Sequence, residues 1–255
     1  EHAQDFLDFD VPRKMVFTKK NENTYEHAEH VHYACDGMNA VGTQMHIDDT
    51  AIQLHILGSF NATNAAAAAS ACRAVGIDLR TIKKGLESVR ALPGRLERID
   101  EGQAFTIIVD YAFEPVALRT LYDTVRVIEP QRIIHVLGAT GGGRDAARRR
   151  ENGVIAGENA DIVIVTDEDP YDDDPVAIMR AVADGAASCG KKERDTLFLI
   201  EDRAQAIAKA VQLARAQDLV LITGKGCEQA IAVKNGAHIP WDDRRVAREA
   251  VKDIL

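Results

Sequence analysis

The sequence has few cysteines and no long apolar segment. Its 255 residues include four cysteines, which lie far apart and form no C-x-x-C pair. This usage is typical of a cytosolic protein whose thiols stay reduced. No apolar run approaches the ~18 residues needed to span a bilayer, and no secretory signal opens the chain. We therefore expect a cytoplasmic protein without a membrane partner.

The chain also has fewer basic than acidic residues. The chain carries 31 Lys and Arg against 40 Asp and Glu, a formal net charge of -9. Such an acidic protein is poorly suited to hold nucleic acid by neutralising phosphates, so we expect no nucleic-acid partner. Hydrophobic residues make up 46% of the chain, which excludes a disordered or collagen-like protein.

A nucleotide P-loop is missing as well. The motif G-x-x-x-x-G-K-[ST] cradles phosphates with backbone N–H groups and a lysine, and it occurs nowhere in the sequence. Around Lys225, Leu219 stands where the first glycine should be and Gly226 follows the lysine. The sequence also begins at Glu1 without an initiator Met. We expect it to be a fragment of a longer protein.

The residue pattern changes along the chain and divides it into two parts. Residues 1–57 have an irregular, mostly β pattern, and residues 42–57 alternate like a half-buried strand pair. An alanine-rich helix follows, with Asn61 as its N-cap and Gly76 as its stop. A second helix ends at Val89. The turn-forming residues 92–95 predict a boundary between a first domain, 1–93, and a second, 94–255.

The second domain alternates strands and helices, the pattern of an α/β fold. Five short apolar, β-branched runs predict strands at residues 105–110, 132–138, 161–166, 196–200 and 219–224. Amphipathic stretches between them predict helices at residues 115–128, 145–159, 175–188 and 202–216. This order predicts a mostly parallel sheet with helices on both faces. Polar clusters follow four of the strands, where such sheets bind ligands, and they predict the rim of an active site.

Two of these clusters have distinct chemistry. Residues 138–145 form a glycine-rich turn at a helix start, which suits either an anion bound beside Arg144 or a plain tight turn. Its spacing does not match a dinucleotide fingerprint. Residues 166–175 carry six carboxylates. One or two of these would cap the next helix, and the others suit a cationic substrate or a divalent metal.

Three histidines and one cysteine also invite functional hypotheses. His27, His30 and His32 have metal-like spacing, but on a strand His27 would face away from the other two. A solvated polar segment is the favoured interpretation, so we expect no metal site. Cys227 has no histidine nearby in sequence to activate it, which disfavours a catalytic thiol.

Six short segments form a series of motifs along the chain. In chain order they are Gly58-Ser-Phe-Asn61-Ala-Thr-Asn64, Pro93-Gly94-Arg95-Leu-Glu97, Asp110-Tyr-Ala-Phe-Glu-Pro115, Gly141-Gly-Gly-Arg144-Asp145 with Arg148-Arg149, Asp202-Arg203 with Ala206-Ile207, and Gly224-Lys-Gly-Cys-Glu228. Taken in this order, the motifs resemble those of the Mur ligases, specifically the UDP-N-acetylmuramoyl-tripeptide synthetases that add the third amino acid of the peptidoglycan stem. The resemblance implies that residues 1–93 are the mixed β/helical end of an ATP-binding central domain. Residues 94–255 would be the C-terminal Rossmann-like domain.

The resemblance also implies an activity and a site. The reaction would be ATP-dependent amide formation through an acyl phosphate, with UDP-MurNAc-dipeptide and a free amino acid as partners. ATP and Mg²⁺ would be the cofactors, with the Mg²⁺ ligands mostly in segments upstream of this chain. Arg95 and Asp110 would be catalytic, and the residues around ATP would be Asn61, Asn64, Arg95, Asp110 and Tyr111. The residues around the amino acid would be Arg144, Glu168, Asp169, Tyr171, Gly224, Lys225 and Glu228.

Some positions depart from the family pattern. Phe113 and Cys227 replace histidines, and Tyr171 replaces an arginine that marks recognition of diaminopimelate. Tyr171 and the acidic residues 168, 169 and 228 therefore predict lysine or ornithine as the added amino acid. Two alternatives remain open, a ligase like folylpolyglutamate synthetase and a non-catalytic domain. We expect the fragment alone to be inactive, because it has no P-loop.

Overall fold

The computed structural model describes residues 3–19 and 25–255 of the chain. The chain divides into two compact units, Glu1–Arg90 and Ala91–Leu255. The division falls between residues 90 and 91, close to the predicted boundary between 93 and 94. Residues 20–24 of the predicted mostly β region lie outside the described residues.

The first unit packs helices against a four-stranded sheet. Strands β1 and β2 are parallel, whereas β2, β3 and β4 form an antiparallel meander, so the strand pair predicted at residues 42–57 is present. Its elements are α1 (Ala3–Leu7), β1 (Met15–Lys19), β2 (Glu29–Asn39), β3 (Gly42–Ile47), β4 (Thr50–Leu54), α2 (Ser59–Ala74) and α3 (Leu79–Ser88). Alanines at positions 62, 66 and 69 of α2 are fully buried, which places their small side chains against the sheet.

The predicted N-cap of α2 is wrong. The helix begins at Ser59 and its N-cap is Gly58, so Asn61 lies inside the first turn. The buried Asn61 side chain donates from Nδ2 to the carbonyl of Leu57 at 2.6 Å. Position 58 suits glycine because its φ is +107°, a conformation that side chains disfavour. The stop at Gly76 is correct in kind, since this residue follows the helix with φ +86°.

The second unit is an α/β domain with a six-stranded sheet, which confirms the predicted fold class. Its strands are β5 (Glu97–Ile99), β6 (Thr106–Val109), β7 (Ile133–Leu137), β8 (Ile162–Val165), β9 (Leu197–Leu199), β10 (Leu219–Ile222), β11 (Ala230–Val233) and β12 (Ala237–Pro240). Its helices are α4 (Pro115–Val125), α5 (Ala147–Asn159), α6 (Pro175–Ser188), α7 (Arg203–Leu213) and α8 (Asp243–Lys252), with short 3-10 turns at Arg126–Ile128 and Lys234–Gly236. All five predicted strands and all four predicted helices of this unit are present, each within a few residues of its predicted ends.

The strand order of the sheet is β5-β6-β10-β7-β8-β9. Only the edge strand β5 is antiparallel to its neighbour, and the other pairs are parallel. Strand β10 is last in sequence among the six, yet it lies between the two that come earliest after β5. This insertion brings residue 110, at the end of β6, beside the ends of β10 and β7.

Helices cover both faces of the sheet. Residues of α4, α5 and α6 pack in one buried cluster, and residues of α7 and α8 pack in another on the opposite face. The sequence-based predictions do not include strand β5, the β11–β12 hairpin or helix α8. No helix among the described residues is both long enough and apolar enough to cross a membrane.

Candidate functional site

A polar cleft lies at the carboxyl ends of β6, β7, β8 and β10. Its volume is about 50 Å³, and it is lined by Tyr111, Phe113, Thr140, Arg144, Arg148, Glu168, Asp169, Tyr171, Gly224 and Glu228. All four polar clusters that the sequence singled out contribute to this lining. The structure thus brings together six of the seven residues predicted to surround the amino acid, all except Lys225.

The glycine-rich loop after β7 presents Arg144 to the cleft. Gly142 and Gly143 have φ angles of +63° and +77°, which a residue with a Cβ adopts at a cost. A Cβ at Gly141 would collide with the carbonyl of Pro170, so the loop can approach residues 169–170 closely. The Arg144 side chain is exposed and makes no hydrogen bond or ion pair with any described residue. Its guanidinium is therefore free to bind an anion.

The acidic loop after β8 divides its carboxylates between two roles. Asp174 is the N-cap of α6 and accepts a hydrogen bond from the backbone of Val176 at 3.0 Å. Glu168 and Asp169 are instead buried, with 3% and 8% of their surface exposed. Buried carboxylates are costly unless they are paired, so these two need partners inside the protein.

Lys225 supplies the partner for Asp169. Its ammonium lies 2.8 Å from each Asp169 carboxylate oxygen and 2.5 Å from Oε2 of Glu228. The backbone of Ala232 donates a further hydrogen bond to Asp169 at 2.7 Å. Only 1% of Lys225 is exposed, and it is absent from the cleft lining. The sequence placed Lys225 on the substrate, whereas the structure places it behind the wall as a counter-ion.

Glu228 is the more accessible of the two acids that Lys225 binds. Its other oxygen, Oε1, accepts a hydrogen bond from the hydroxyl of Tyr111 at 2.8 Å, and its side chain is 36% exposed. Burial, followed by the hydrogen bond and charge of Glu228, raises the pKa of Tyr111 to about 12. Tyr111 therefore acts as a hydrogen-bond donor at physiological pH.

Glu168 has the least compensated carboxyl group of the cleft. Its Oε1 accepts a hydrogen bond from the Thr140 hydroxyl at 3.0 Å, and no described residue donates to its Oε2. Burial raises the pKa of Glu168 to about 7, although the charge of Arg203 and the Thr140 hydrogen bond oppose the rise. A Cβ at Gly224 would collide with this carboxyl group, so glycine is required there.

The residues predicted around ATP in this unit adjoin the cleft. The exposed guanidinium of Arg95 stacks on the ring of Tyr111, with Cζ 4.3 Å from the ring centroid. Asp110 accepts hydrogen bonds from the backbone of Leu96 at 2.7 Å and of Ala112 at 2.8 Å. Burial raises the pKa of Asp110, although these hydrogen bonds oppose the rise. Asp110 thus ties the Arg95 turn to the end of β6.

Asn61 and Asn64 belong to the first unit. On helix α2 the side chain of Asn64 donates to Oδ1 of Asn61 at 3.1 Å. The geometry of the first unit alone does not assign either residue a ligand. Their place near ATP stays a prediction carried by the resemblance.

Tyr171 packs against the glycine-rich loop. Its φ is +52°, and its ring lies so close to Gly142 that a Cβ there would strike it. The backbone N–H of Tyr171 donates to the carbonyl of Ala232 at 3.1 Å. The ring therefore forms part of the cleft wall next to Arg144, at the position of the family arginine.

A buried ion pair lies beneath the cleft. Arg203 binds Asp243 through two hydrogen bonds of 2.8 and 2.7 Å, and both side chains are fully buried. Arg203 also donates to the carbonyls of Thr223 at 2.7 Å and Asp167 at 3.2 Å. It joins the ends of β8 and β10, which immediately precede Glu168 and Gly224. The sequence showed Arg203 only as part of a family motif and gave no sign of Asp243.

Three lining residues escaped the sequence-based site. Thr140 lies within the glycine-rich loop, and only the tertiary structure shows that it contacts Glu168. Arg148 forms an ion pair with Glu114 and stacks over Phe113 at 5.4 Å. Phe113 in turn meets Tyr111 edge to face, with ring centroids 5.1 Å apart. An aromatic wall therefore stands where the family pattern has a histidine.

The remaining sequence hypotheses concern metals and thiols. His30 and His32 stack on β2 with ring centroids 5.6 Å apart, whereas His27 lies before the strand with φ +64°. No group of three His, Cys, Asp or Glu side chains within the described part of the chain is placed to hold a metal ion. Cys227 is exposed, and it makes no hydrogen bond to a described histidine.

Comparison with known proteins gives several curated relatives at about 40% identity. A UDP-N-acetylmuramyl-tripeptide synthetase of Roseiflexus sp. (strain RS-1) is 42% identical over 79% of this chain and 39% of its own length. A UDP-N-acetylmuramoyl-L-alanyl-D-glutamate--2,6-diaminopimelate ligase of Streptomyces coelicolor is 41% identical over 77% of this chain and 38% of its own length. The chain therefore spans about two fifths of the length of these relatives.

Solved structures show the same fold at lower identity. A structure of a 2,6-diaminopimelate ligase of the same name has a TM-score of 0.60 at 24% identity, covering 94% of this chain and 53% of that one. Folylpolyglutamate synthase of Mycobacterium tuberculosis, complexed with ADP and AMPPCP, has a TM-score of 0.59 at 20% identity, covering 77% and 47%. Identities this low carry the fold and no further assignment.

One family covers more than half of the chain. Residues 94–226 match the family described as Mur ligase, glutamate ligase domain. This match includes the strand ends that build the cleft, from Asp110 to Gly224. The chain belongs to the Mur ligase family.

Proposed function

We propose that this chain is part of an ATP-dependent ligase that adds the third amino acid to UDP-MurNAc-dipeptide through an acyl phosphate. The observation that carries the proposal is the cleft. It presents one unpaired guanidinium, on Arg144, and one carboxylate oxygen without a donor, on Glu168, at the carboxyl edge of the sheet. An α-amino acid carries the opposite charges on neighbouring groups. Because the reaction consumes ATP, we place it in the cytoplasm.

Each end of the incoming amino acid has a partner in this proposal. Arg144 binds the α-carboxylate, since a guanidinium matches a carboxylate with two parallel hydrogen bonds. Glu168 and the exposed part of Glu228 bind the amino groups. Asp169 contributes indirectly, because it holds Lys225 in place. Gly224 leaves the space that Glu168 needs, and Tyr171 closes the wall. Residues that hold the amino acid in a fixed orientation lower the entropic part of the reaction barrier.

The nucleotide has fitting residues in the second unit. Arg95 is exposed and makes no ion pair with a described residue, which leaves it free for phosphate. We propose that Arg95, Asp110 and Tyr111 approach ATP. For Asn61 and Asn64 of the first unit, an ATP-binding role is a proposal that rests on the resemblance alone. ATP supplies the phosphoryl group that activates the substrate carboxylate, and Mg²⁺ neutralises its phosphates. We assign no described residue to the metal.

The balance of charge in the cleft bears on which amino acid is added. The sequence-based argument for lysine or ornithine rested on three unpaired acids, but Lys225 forms ion pairs with two of them, Asp169 and Glu228, and its single charge offsets one of the two. The number of unpaired cations in the cleft supports the same proposal. Among the described lining residues one guanidinium is unpaired, since Arg148 is held by Glu114. That single cation matches a diamino acid with one carboxylate, and Tyr171 adds no charge for a second.

The two competing functions make different demands on the cleft. An enzyme like folylpolyglutamate synthetase adds glutamate, whose side-chain carboxylate would meet buried Glu168 without a free cation. A non-catalytic domain makes no use of an unpaired buried carboxyl group, which costs stability. The cleft favours the tripeptide synthetase over both.

The test is reconstitution of the full-length protein with ATP, UDP-MurNAc-dipeptide and a panel of amino acids. We expect amino-acid-dependent ADP formation, with kcat/KM higher for lysine or ornithine than for meso-diaminopimelate. Highest activity with meso-diaminopimelate would refute the argument that the single unpaired guanidinium selects an amino acid with one carboxylate. Activity with a folate acceptor, or none with any acceptor, would refute the proposed function. The 255-residue chain alone should give no turnover, because no P-loop holds the phosphates.

A further inference from the structure

The acids at the cleft differ in how much of their bonding capacity is already used. Asp169 accepts two hydrogen bonds from Lys225 and one from the backbone of Ala232. Glu228 accepts one from Lys225 and one from Tyr111. Both carboxylates thus have a cation in direct contact, which stabilises their charged forms.

Glu168 lacks such a contact. Its one side-chain donor is the neutral Thr140 hydroxyl, and its Oε2 lies beside the backbone of Gly138 and Gly224. Because Gly224 has no Cβ, this oxygen can pack against its backbone, at the edge of the cleft that Glu168 lines. A substrate N–H group can therefore reach it without displacing a protein donor.

The charged groups around Glu168 leave it balanced between its two protonation states. Burial raises its pKa to about 7, Arg203 from helix α7 and Lys225 from the loop after β10 oppose the rise, and neighbouring Asp169 adds to it. Arg203 is committed to Asp243, so it acts on Glu168 at a distance. A base whose pKa lies near the working pH combines availability with proton affinity.

Resting on the proposed function, we propose that Glu168 is the catalytic base that removes a proton from the incoming ammonium group. The amino acid enters as its ammonium form, and Oε2 takes one proton to leave a neutral amine. The nitrogen lone pair attacks the acyl-phosphate carbonyl, and the C–O bond breaks with its electrons going to the leaving phosphate. A second proton passes from nitrogen to that phosphate. Glu168 then returns its proton to solvent.

The experiment compares wild-type full-length enzyme with Glu168→Gln, Glu168→Asp and a control, Glu158→Gln, whose side chain is exposed on α5. Glutamine keeps the shape but accepts no proton. We expect Glu168→Gln to lower kcat about 100-fold or more, while Glu168→Asp recovers part of the loss and the control matches wild type. Below the pKa of the amino group, the variant's rate should rise about tenfold per pH unit, because it depends on free amine. Wild type should be level above pH 7.

Hydroxylamine separates this inference from the proposed function. It is largely unprotonated at neutral pH and attacks acyl phosphates directly, so it needs no base. We expect wild type and Glu168→Gln to form hydroxamate and ADP at similar rates with UDP-MurNAc-dipeptide. If wild type forms no hydroxamate, the proposed ligase activity is wrong.

Two results would overturn the role of Glu168 while leaving the ligase intact. One is a Glu168→Gln enzyme with normal kcat and a raised amino-acid KM, which would make Glu168 a binding group. The other is a variant with reduced kcat whose pH profile follows that of wild type. A variant that loses hydroxamate formation as well would also contradict the proposal, since acyl-phosphate formation does not involve this base.

Discussion

Lys225 lies behind the cleft wall and Arg144 lines the cleft, and the surroundings of these two cations are opposite. Lys225 is almost fully buried and touches two carboxylates, whereas Arg144 is exposed and unpaired among the described residues. The acids show the same division, since Asp169 is held by a cation and Glu168 only by a hydroxyl. Charges that would be costly to leave unpaired are satisfied inside the wall. The uncommitted charges of Arg144 and Glu168 belong to residues that line the cleft.

The largest effect on folding should come from breaking the fully paired region. Asp243→Ala leaves Arg203 buried without its carboxylate, which should cost about 4 kcal/mol of unfolding free energy. Urea unfolding of the chain, followed by circular dichroism, measures this loss. Asp253→Ala, at an exposed position just after α8, is the matched control and should change little. A cost below about 1 kcal/mol for Asp243→Ala would show that the pair does not hold the strand ends.

Lys225→Met tests whether this lysine is a counter-ion or a substrate ligand. Removing the ammonium leaves buried Asp169 without its cation, and we expect a loss of about 3 kcal/mol, less than for Asp243 because Glu228 is partly exposed. The measurement is again urea unfolding without ligand. A stable variant with weakened amino-acid binding would instead support the role first predicted from the sequence.

Glu168→Gln should stabilise the chain at high pH, the opposite sign from the first two variants. The folded-state pKa of about 7 lies above the ordinary 4.5, so the wild-type chain loses stability as the pH rises through this interval. We expect a gain of about 2 kcal/mol at pH 8, less than the shift itself implies, since Thr140 then donates to a weaker acceptor. Unfolding at pH 5 should show most of the gain removed. An equal gain at both pH values would mean that no raised pKa is involved.

Arg144→Ala should affect folding least of all. An exposed, unpaired side chain contributes within about 0.5 kcal/mol to stability, so the unfolding midpoint should not move. In the full-length enzyme, however, the amino-acid KM should rise at least about tenfold as the carboxylate loses its partner, and Arg144→Lys should recover little. Arg150→Ala, at an exposed position on helix α5, which follows the Arg144 loop, is the control. An unchanged KM would refute the assignment of Arg144.

The α/β architecture of the second unit was predictable because its signals are local. Strands such as Ile162–Val165 are runs of buried β-branched residues, and helix α6 starts at a proline after a capping aspartate. The Asn61 cap failed for a local reason as well. Glycine at position 58 already ends the preceding segment with a positive φ, and the helix begins directly after it. Strand β5 and the β11–β12 hairpin were missed because their pairing depends on distant or short segments.

The candidate site was predictable as a set of strand ends but not as an arrangement of charges. Sequence spacing placed Glu168, Asp169 and Glu228 at the same edge and implied a free acidic pocket. It could not show that Lys225 reaches back across 56 positions to Asp169, since side-chain pairing depends on which strands are neighbours. The sequence also gave no reason to connect Thr140 with Glu168.

By itself the sequence determined the succession of strands and helices, the family and the polar residues at each strand end, because periodicity and turn chemistry act over a few residues. Only the tertiary structure decided which of those residues are committed to one another. The insertion of β10 between β6 and β7 sets Lys225 against Asp169 and Gly224 against Glu168. Burial at that junction then separates the charges that are paired within the protein from those of Arg144 and Glu168, which have no ionic partner in contact among the described residues.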